Sequence, residues 1–439
     1  MADQITSSVV RLINQQGSVV GIGYRVSDNQ VITCAQMVAL ALGITADSAP
    51  APDAIVMVDF PFIEKGKRFE ARILSWRTLD SELVVPLEEF ADIAVLELGG
   101  VQQSETQAAK GLSEEDYQGM IDAIHGGELI PFLGAGVNLC DRPEGERWHP
   151  NGQFLPSGEE LSRALALQFG YPWPDSHDLL RVSQYVALMH TLKRLYESLR
   201  AIFDREYPPT SLHKFFAGLP AQLAAKNLPS TFLIVTTNYD DLLETAFKKV
   251  NQPFDLVTYW IGDQNDQRGK LLHWTEHGKP RAIDDPATYD GIKLDEKRNL
   301  KNPVILKVHG AVDRTVSKAM RPRDSYVITE DNYLEYLTRS DIASLVPATI
   351  KEKFTQSSFL FLGYSLRDWN LRVFLNRIQM QQKQNLEFYK SWAIQRRPAE
   401  LEQKFWDSRG VEIFDANLRD YVQDLDQRLQ GNPPGGERP

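Results

Sequence analysis

Two short apolar runs end in residues able to do chemistry. Phe-Leu-Ile-Val-Thr closes at Thr236 and leads into Thr237-Asn238-Tyr239-Asp240; Val-Ile-Leu-Lys-Val closes at Val308 and leads into His309-Gly310. A neutral imidazole is a candidate general base near pH 7. An amide can hold a ribose hydroxyl and a water, and a carboxylate can accept from a carboxamide NH2 or stabilise developing positive charge. Plainer readings stay open. Asn238 or Asp240 also suits the cap of a helix beginning Asp-Leu-Leu-Glu, and a lone histidine is more often structural. Of the eight histidines, only His309 has this strand-end setting.

Two glycine turns accompany these residues. Leu129–Leu133 runs into Gly134-Ala135-Gly136, and Phe359–Leu362 runs into Gly363-Tyr364-Ser365. Small residues let a backbone approach a pyrophosphate, and a following helix turns free N–H groups toward the anion. A full Gly-x-Gly-x-x-Gly pattern is absent, since position 139 is Leu. The same three residues also make an ordinary tight turn. Ser365 can cap a helix over Leu366–Gln381, touch a nucleotide, or do both. Gly310 leaves room for a ligand beside His309.

Strand ends act together only when the strands lie side by side. From Ser113 the sequence alternates apolar strands (Leu129–Leu133, Thr231–Thr236, Val304–Val308, Phe359–Leu362, Ser391–Ile394, Val411–Phe414) with amphipathic helices. The helices fall at Ser113–His125, Ser157–Phe169, Leu179–Glu206, Asp240–Lys249, Thr329–Thr338 and Leu366–Gln381. This alternation predicts an α/β unit with a doubly wound, parallel, Rossmann-like sheet. Its strands read as continuous apolar runs, as expected when both faces are covered. Residues 5–98 instead show short strands separated by Gly and Pro, which predicts a small all-β, barrel-like domain. The expected organisation is a β domain at 1–105, a linker at 106–112, the α/β domain at 113–430 and a disordered tail at 431–439.

The 439-residue chain is 42% hydrophobic and 24% charged, with a net charge of −11. The acidic balance argues against general binding to a phosphate backbone. Two distant cysteines, Cys34 and Cys140, supply neither a Cys-rich zinc site nor a disulfide framework, so no metal site is expected. No run is long enough to span a membrane and the N-terminus does not read as a signal peptide, so a cytoplasmic protein is expected.

The ordered set Gly134-Ala135-Gly136, Thr237-Asn238-Tyr239-Asp240, Lys307-Val308-His309-Gly310 and Gly363-Tyr364-Ser365 resembles the sirtuin-type NAD-binding fold. Within that fold it more closely resembles the bacterial branch found in antiphage-defence proteins. Tyr185 and the run Ile328-Thr-Glu-Asp-Asn-Tyr333 also fit that branch, and the resemblance covers about residues 113–425. It implies that Gly134, Ala135 and Gly136 hold the NAD phosphates, with Thr237, Gly310, Gly363, Tyr364 and Ser365 in the cofactor-binding set. Asn238 would contact the nicotinamide ribose and a water, Asp240 the carboxamide, and His309 a ribose hydroxyl. The chain lacks the four-cysteine zinc module of deacylating sirtuins, so the resemblance implies simple cleavage of NAD to nicotinamide and ADP-ribose. The alternatives are a non-catalytic NAD or ADP-ribose sensor and, further off, a protein deacylase or ADP-ribosyltransferase. Such an effector implies an activating partner, a protein or a nucleic-acid-bearing species of phage origin, and a homo-oligomer.

The N-terminal region resembles the first barrel of trypsin-like proteases through Gly21-Ile-Gly-Tyr-Arg-Val26, Val31-Ile-Thr-Cys-Ala-Gln36 and Ala91-Asp-Ile-Ala-Val-Leu96. In that pattern Asp92 is the orienting acid and position 36 the catalytic histidine. Gln36 cannot act as a base, and no Gly-x-Ser-Gly-Gly segment occurs downstream. The resemblance therefore implies a non-catalytic barrel used for sensing or assembly.

Overall fold

Alternating side chains build the N-terminal unit. In β1 (Val9–Ile13), Val10 and Leu12 point inward while Arg11 faces out. The same inward set recurs in β2 (Val19–Arg25), β3 (Gln30–Thr33), β4 (Ile55–Asp59), β5 (Arg68–Arg77) and β6 (Ile93–Gly99). These six strands close into an antiparallel barrel in the order β1-β2-β3-β6-β5-β4. Closure falls on the β1–β4 pair, where Arg11 and Asp59 stand directly opposite and form a bidentate ion pair at 2.8 and 2.6 Å. Helix α1 (Ala35–Leu42) buries Ala35, Val38, Ala39 and Ala41. Gly21 admits it, because a Cβ there would meet Met37 at 2.7 Å. Gln36 is exposed on the first turn of α1, and Asp92 lies outside the described residues.

The computed structural model describes residues 9–14, 16–25, 30–45, 51, 54–61, 68–77, 93–99, 110–261, 268–274, 280–295, 300–313, 324–339, 346–364, 389–398 and 400–431. The chain divides into two compact units, Met1–Ala108 and Ala109–Pro439. The expected tail beyond Gly431, the helix over Leu366–Gln381 and its cap Ser365 lie outside the described residues.

The second unit is built on a nine-stranded sheet. Its central strands are β7 (Leu129–Leu133), β8 (Leu233–Thr236), β12 (Val304–Lys307) and β15 (Ser358–Leu362). Each of them is buried along its whole length. Successive residues feed opposite faces. Ile130, Phe132, Leu233, Val235, Leu306 and Phe361 join one core, and Leu133, Ile234, Ile305 and Leu362 the other. Helices α2 (Glu114–His125), α6 (Ser211–Ala225), α7 (Leu242–Lys249) and α11 (Leu418–Leu429) supply side chains to the second core. Helices α8 (Glu330–Arg339), α9 (Ala348–Thr355) and α10 (Glu400–Asp407) supply the first.

The order β11-β10-β9-β12-β8-β7-β15-β16-β17 adds β9 (Asp255–Trp260), β10 (Lys270–Trp274), β11 (Arg281–Ile283), β16 (Ser391–Gln395) and β17 (Val411–Asp415). From β9 to β17 every neighbouring pair is parallel. The sheet is not parallel throughout, however: β10 and β11 extend one edge in antiparallel fashion. A two-stranded ribbon, β13 (Gly310–Ala311) with β14 (Ser325–Tyr326), comes directly after His309.

A helical lobe is inserted between β7 and β8. The single helix expected over Leu179–Glu206 is two helices, α4 (Leu179–Met189) and α5 (Leu192–Phe203), preceded by α3 (Gly158–Phe169). The break is at Thr191, whose φ of 136° cannot continue a helix; its hydroxyl instead accepts the Arg194 N–H and caps α5.

Candidate active site

The four motifs leave the sheet at one level. Leu133 pairs with Thr236 and with Leu362, and Thr236 pairs with Lys307. One residue further come Gly134, Thr237, Val308 and Gly363; two further come Ala135, Asn238, His309 and Tyr364. All lie at the carboxyl edge. The chain leaves β7 toward β8 on one side and returns as β15 on the other, so this is the topological switch point where open α/β sheets bind ligands.

The glycines have a different use from the one their sequence suggested. A Cβ on Gly134 or Gly136 would stand 2.7 Å from the Gly363 carbonyl, and one on Gly363 would stand 2.4 Å from the Val137 nitrogen. Gly363 sits at φ +71°, and the Gly134 and Gly136 amides donate to Leu362 and Gly363 at 2.9 Å each. The small residues interlock the β7 and β15 loops instead of clearing space for a phosphate, and these two N–H groups are already taken. The turn leads into a 3-10 segment of five residues, Ala135–Leu139, not an α-helix. Ala135 is the exposed residue of the three.

Asn238 and Thr237 tie the third loop in. Asn238 Nδ2 donates to the Gly134 carbonyl at 3.1 Å, and Thr237 Oγ1 lies 2.7 Å from the Tyr364 hydroxyl. Oδ1 is the Asn238 side-chain atom that can accept from a ligand or a water. The Tyr364 ring packs edge-on against Phe132.

Each carboxylate oxygen of Asp240 accepts one bond from a protein group. Oδ1 accepts from the Leu242 N–H at 3.1 Å, a turn just ahead of α7, whose N-cap is Asp241 and not Asp240, and Oδ2 accepts from Asn138 Nδ2 at 2.7 Å. Beneath it, buried Lys307 donates to the Asp240 carbonyl and to Glu244 Oε1, the latter at 2.8 Å. His213, at the start of α6, stands close enough to Asp240 to feel its charge. Burial pushes His213 down to about 4, so the imidazole is neutral at pH 7. Its Nδ1 accepts the Thr210 N–H at 3.2 Å, and Thr210 Oγ1 donates to the Val137 carbonyl, also at 3.2 Å.

His309 is 4% exposed and meets Tyr333 and Tyr336 of α8 edge to face, at 5.4 and 5.6 Å. Its carbonyl accepts from the Val327 N–H at 2.9 Å. Gly310 has φ +87°, and a Cβ there would lie 2.1 Å from the Ser325 carbonyl oxygen, so the room at Gly310 is filled by β14. Helix α8 is fastened to the lobe: Gln184 and Asp331 bond reciprocally, and Ser183 Oγ donates to the Ile328 carbonyl at 2.7 Å. Tyr185 lies within the lobe, among Tyr171, Trp173 and His190.

Residues 233–414 match the family model described as SIR2-like domain. The matched segment contains Asn238, Asp240, His309, Gly363 and Tyr364 but not the Gly134 turn, which the interlock with Gly363 joins to it. The chain is 24% identical over 317 residues to Defense-associated sirtuin 2 of Bacillus subtilis, covering 69% of this chain and 25% of that protein. It is 29% identical over 239 residues to NAD(+) hydrolase ThsA of Acinetobacter baumannii, covering 53% and 39%. With NAD(+) hydrolase ThsA of Enterococcus faecium it shares 26% over 313 residues, covering 71% and 51%. The chain thus spans between a quarter and about half of the length of these curated relatives.

Sequence reasoning did not single out Asn138, His213, the pairing of Lys307 with Glu244, or Tyr336. Two signals were present. Asn138 is the one polar side chain between Leu129 and Leu139, and Thr210-x-x-His213 has capping-box spacing with histidine at the third position.

Proposed function

We propose that the α/β unit binds NAD at the carboxyl edge of its sheet, over the interlocked β7 and β15 loops, and hydrolyses its nicotinamide–ribose bond. The observation that carries this reading is the convergence, at one register level, of the interlocked glycine loops with Asn238, His309 and Tyr364. The names of the ThsA relatives support the choice of substrate. Asn238 Oδ1, left without a protein partner among the described residues, suits a ribose hydroxyl or the attacking water. His309 polarises a ribose hydroxyl. Asp240 lends negative charge near the forming oxocarbenium ion. As the C–N bond breaks, its electron pair passes to the ring nitrogen and nicotinamide leaves neutral. Water adds to the sugar carbon and loses a proton, giving ADP-ribose.

Purified full-length protein incubated with NAD, alone and with extracts of phage-infected cells, should release nicotinamide and ADP-ribose in equal amounts. Intact NAD under every condition would sink the hydrolase reading; binding without cleavage would favour a sensor.

The biological setting we propose is defence, with cleavage held off until a partner arrives, because constant NAD loss is toxic to the host. The barrel serves as the contact module. Its outer surface exposes Ile22 and Tyr24 on β2 and Ile32 on β3, with Tyr24 directly opposite Ile32. Tyr24→Glu with Ile32→Glu should change how cleavage is triggered and leave the affinity for NAD unaltered. Equal NAD loss in challenged cells carrying either form would remove this role. No helix among the described residues is long and apolar enough to cross a membrane; we place the protein in the cytoplasm.

A further inference from the structure

We propose that Asn138 makes the site selective for a carboxamide over a carboxylate on the leaving ring. The proposal rests on the NAD reading above. Asn138 sits in the 3-10 segment after the glycine turn and is buried at 5% exposure. A carboxylate such as Asp240 can only accept, so the 2.7 Å bond fixes the amide with Nδ2 toward Asp240 and Oδ1 away from it. That Oδ1 is buried and has no hydrogen-bond partner. A buried acceptor left without a donor is costly, and an N–H brought by a ligand would relieve that cost.

Asp240 is anchored at both oxygens, by Leu242 and by Asn138. Its remaining lone pairs and Asn138 Oδ1 therefore leave acceptor capacity that the protein does not fill. A carboxamide brings two N–H donors to such acceptors. A carboxylate brings only acceptors and a second negative charge next to Asp240, and is rejected. Asn138 thus acts twice, orienting the acid with one end of its amide and receiving the ligand with the other. Thr210 steadies it from behind through the carbonyl of Val137.

The test is calorimetric titration of the full-length protein with NAD and with nicotinic acid adenine dinucleotide. The wild type should bind NAD more tightly by about a hundredfold, and Asn138→Leu should reduce that ratio by about tenfold or more, mainly by weakening NAD. Thermal melting checks that the variant is folded. Asn138→Asp supplies a second readout. Two carboxyl groups at this spacing share one proton, and the protonated partner can donate as the amide did. The preference for NAD should therefore be smallest at low pH, where the shared proton can be donated to a ligand carboxylate, and grow as the pH rises and both groups ionise, a profile absent from the wild type. An unchanged ratio in Asn138→Leu, or a pH-independent ratio in Asn138→Asp, overturns this proposal alone. Failure of the wild type to bind NAD overturns it together with the reading beneath it.

Discussion

Replacing His309 or Asn238 by alanine should slow NAD cleavage by about 10²–10⁴-fold, the usual loss when a positioned acid–base or polarising group is removed. The two variants will differ in stability. The His309 ring is buried against Tyr333 and Tyr336, so its removal leaves a cavity as well as a missing imidazole. His309→Gln retains most of that volume and separates the effects: activity should stay low while the melting temperature returns toward wild type. Asn238→Ala also removes the bond to the Gly134 carbonyl, so NAD affinity should weaken along with turnover. Cleavage at the parent rate by any of the three, measured as nicotinamide release under activating conditions, would take these residues out of the mechanism.

The largest effect on stability should come from Lys307→Met. Lys307 and Glu244 are 1% and 6% exposed at their side chains, and removing the cation strands a buried carboxylate. Breaking such a pair from one side costs about 3–5 kcal/mol, whereas replacing both partners with apolar side chains is often neutral. Lys307→Met combined with Glu244→Leu should therefore recover most of the loss in chemical unfolding. The double variant should nonetheless cleave NAD poorly, because Lys307 also holds the Asp240 carbonyl. A loss below about 1 kcal/mol in the single variant would show that the pair is not sealed from water.

The legible parts of this fold are those that local physics over-determines. Leu129–Leu133 and Phe359–Leu362 can be buried on both faces only as central strands, and the residues after them must then gather at one edge. Ser113 and Ser157 announced their helices, and both form capping boxes. The antiparallel edge was not legible, because Lys-Leu-Leu-His-Trp in β10 mixes charge, apolar and aromatic residues without a clean alternation. Nor was the break at Thr191, where neither Gly nor Pro marks the turn. At the site, the strand-end residues were visible one by one. The bond from Asn138 to Asp240 joins residues 102 positions apart, and the glycine interlock joins segments still farther apart, so neither leaves a local trace.

That interlock also bears on ancestry. Gly134, Gly136 and Gly363 exclude side chains for one another's sake, so the joint resists drift whether or not a substrate is ever turned over. A lineage that lost Asn238 and His309 would still inherit all three glycines as a condition of folding. The turn is thus a pedigree mark, shared by working and silent descendants alike.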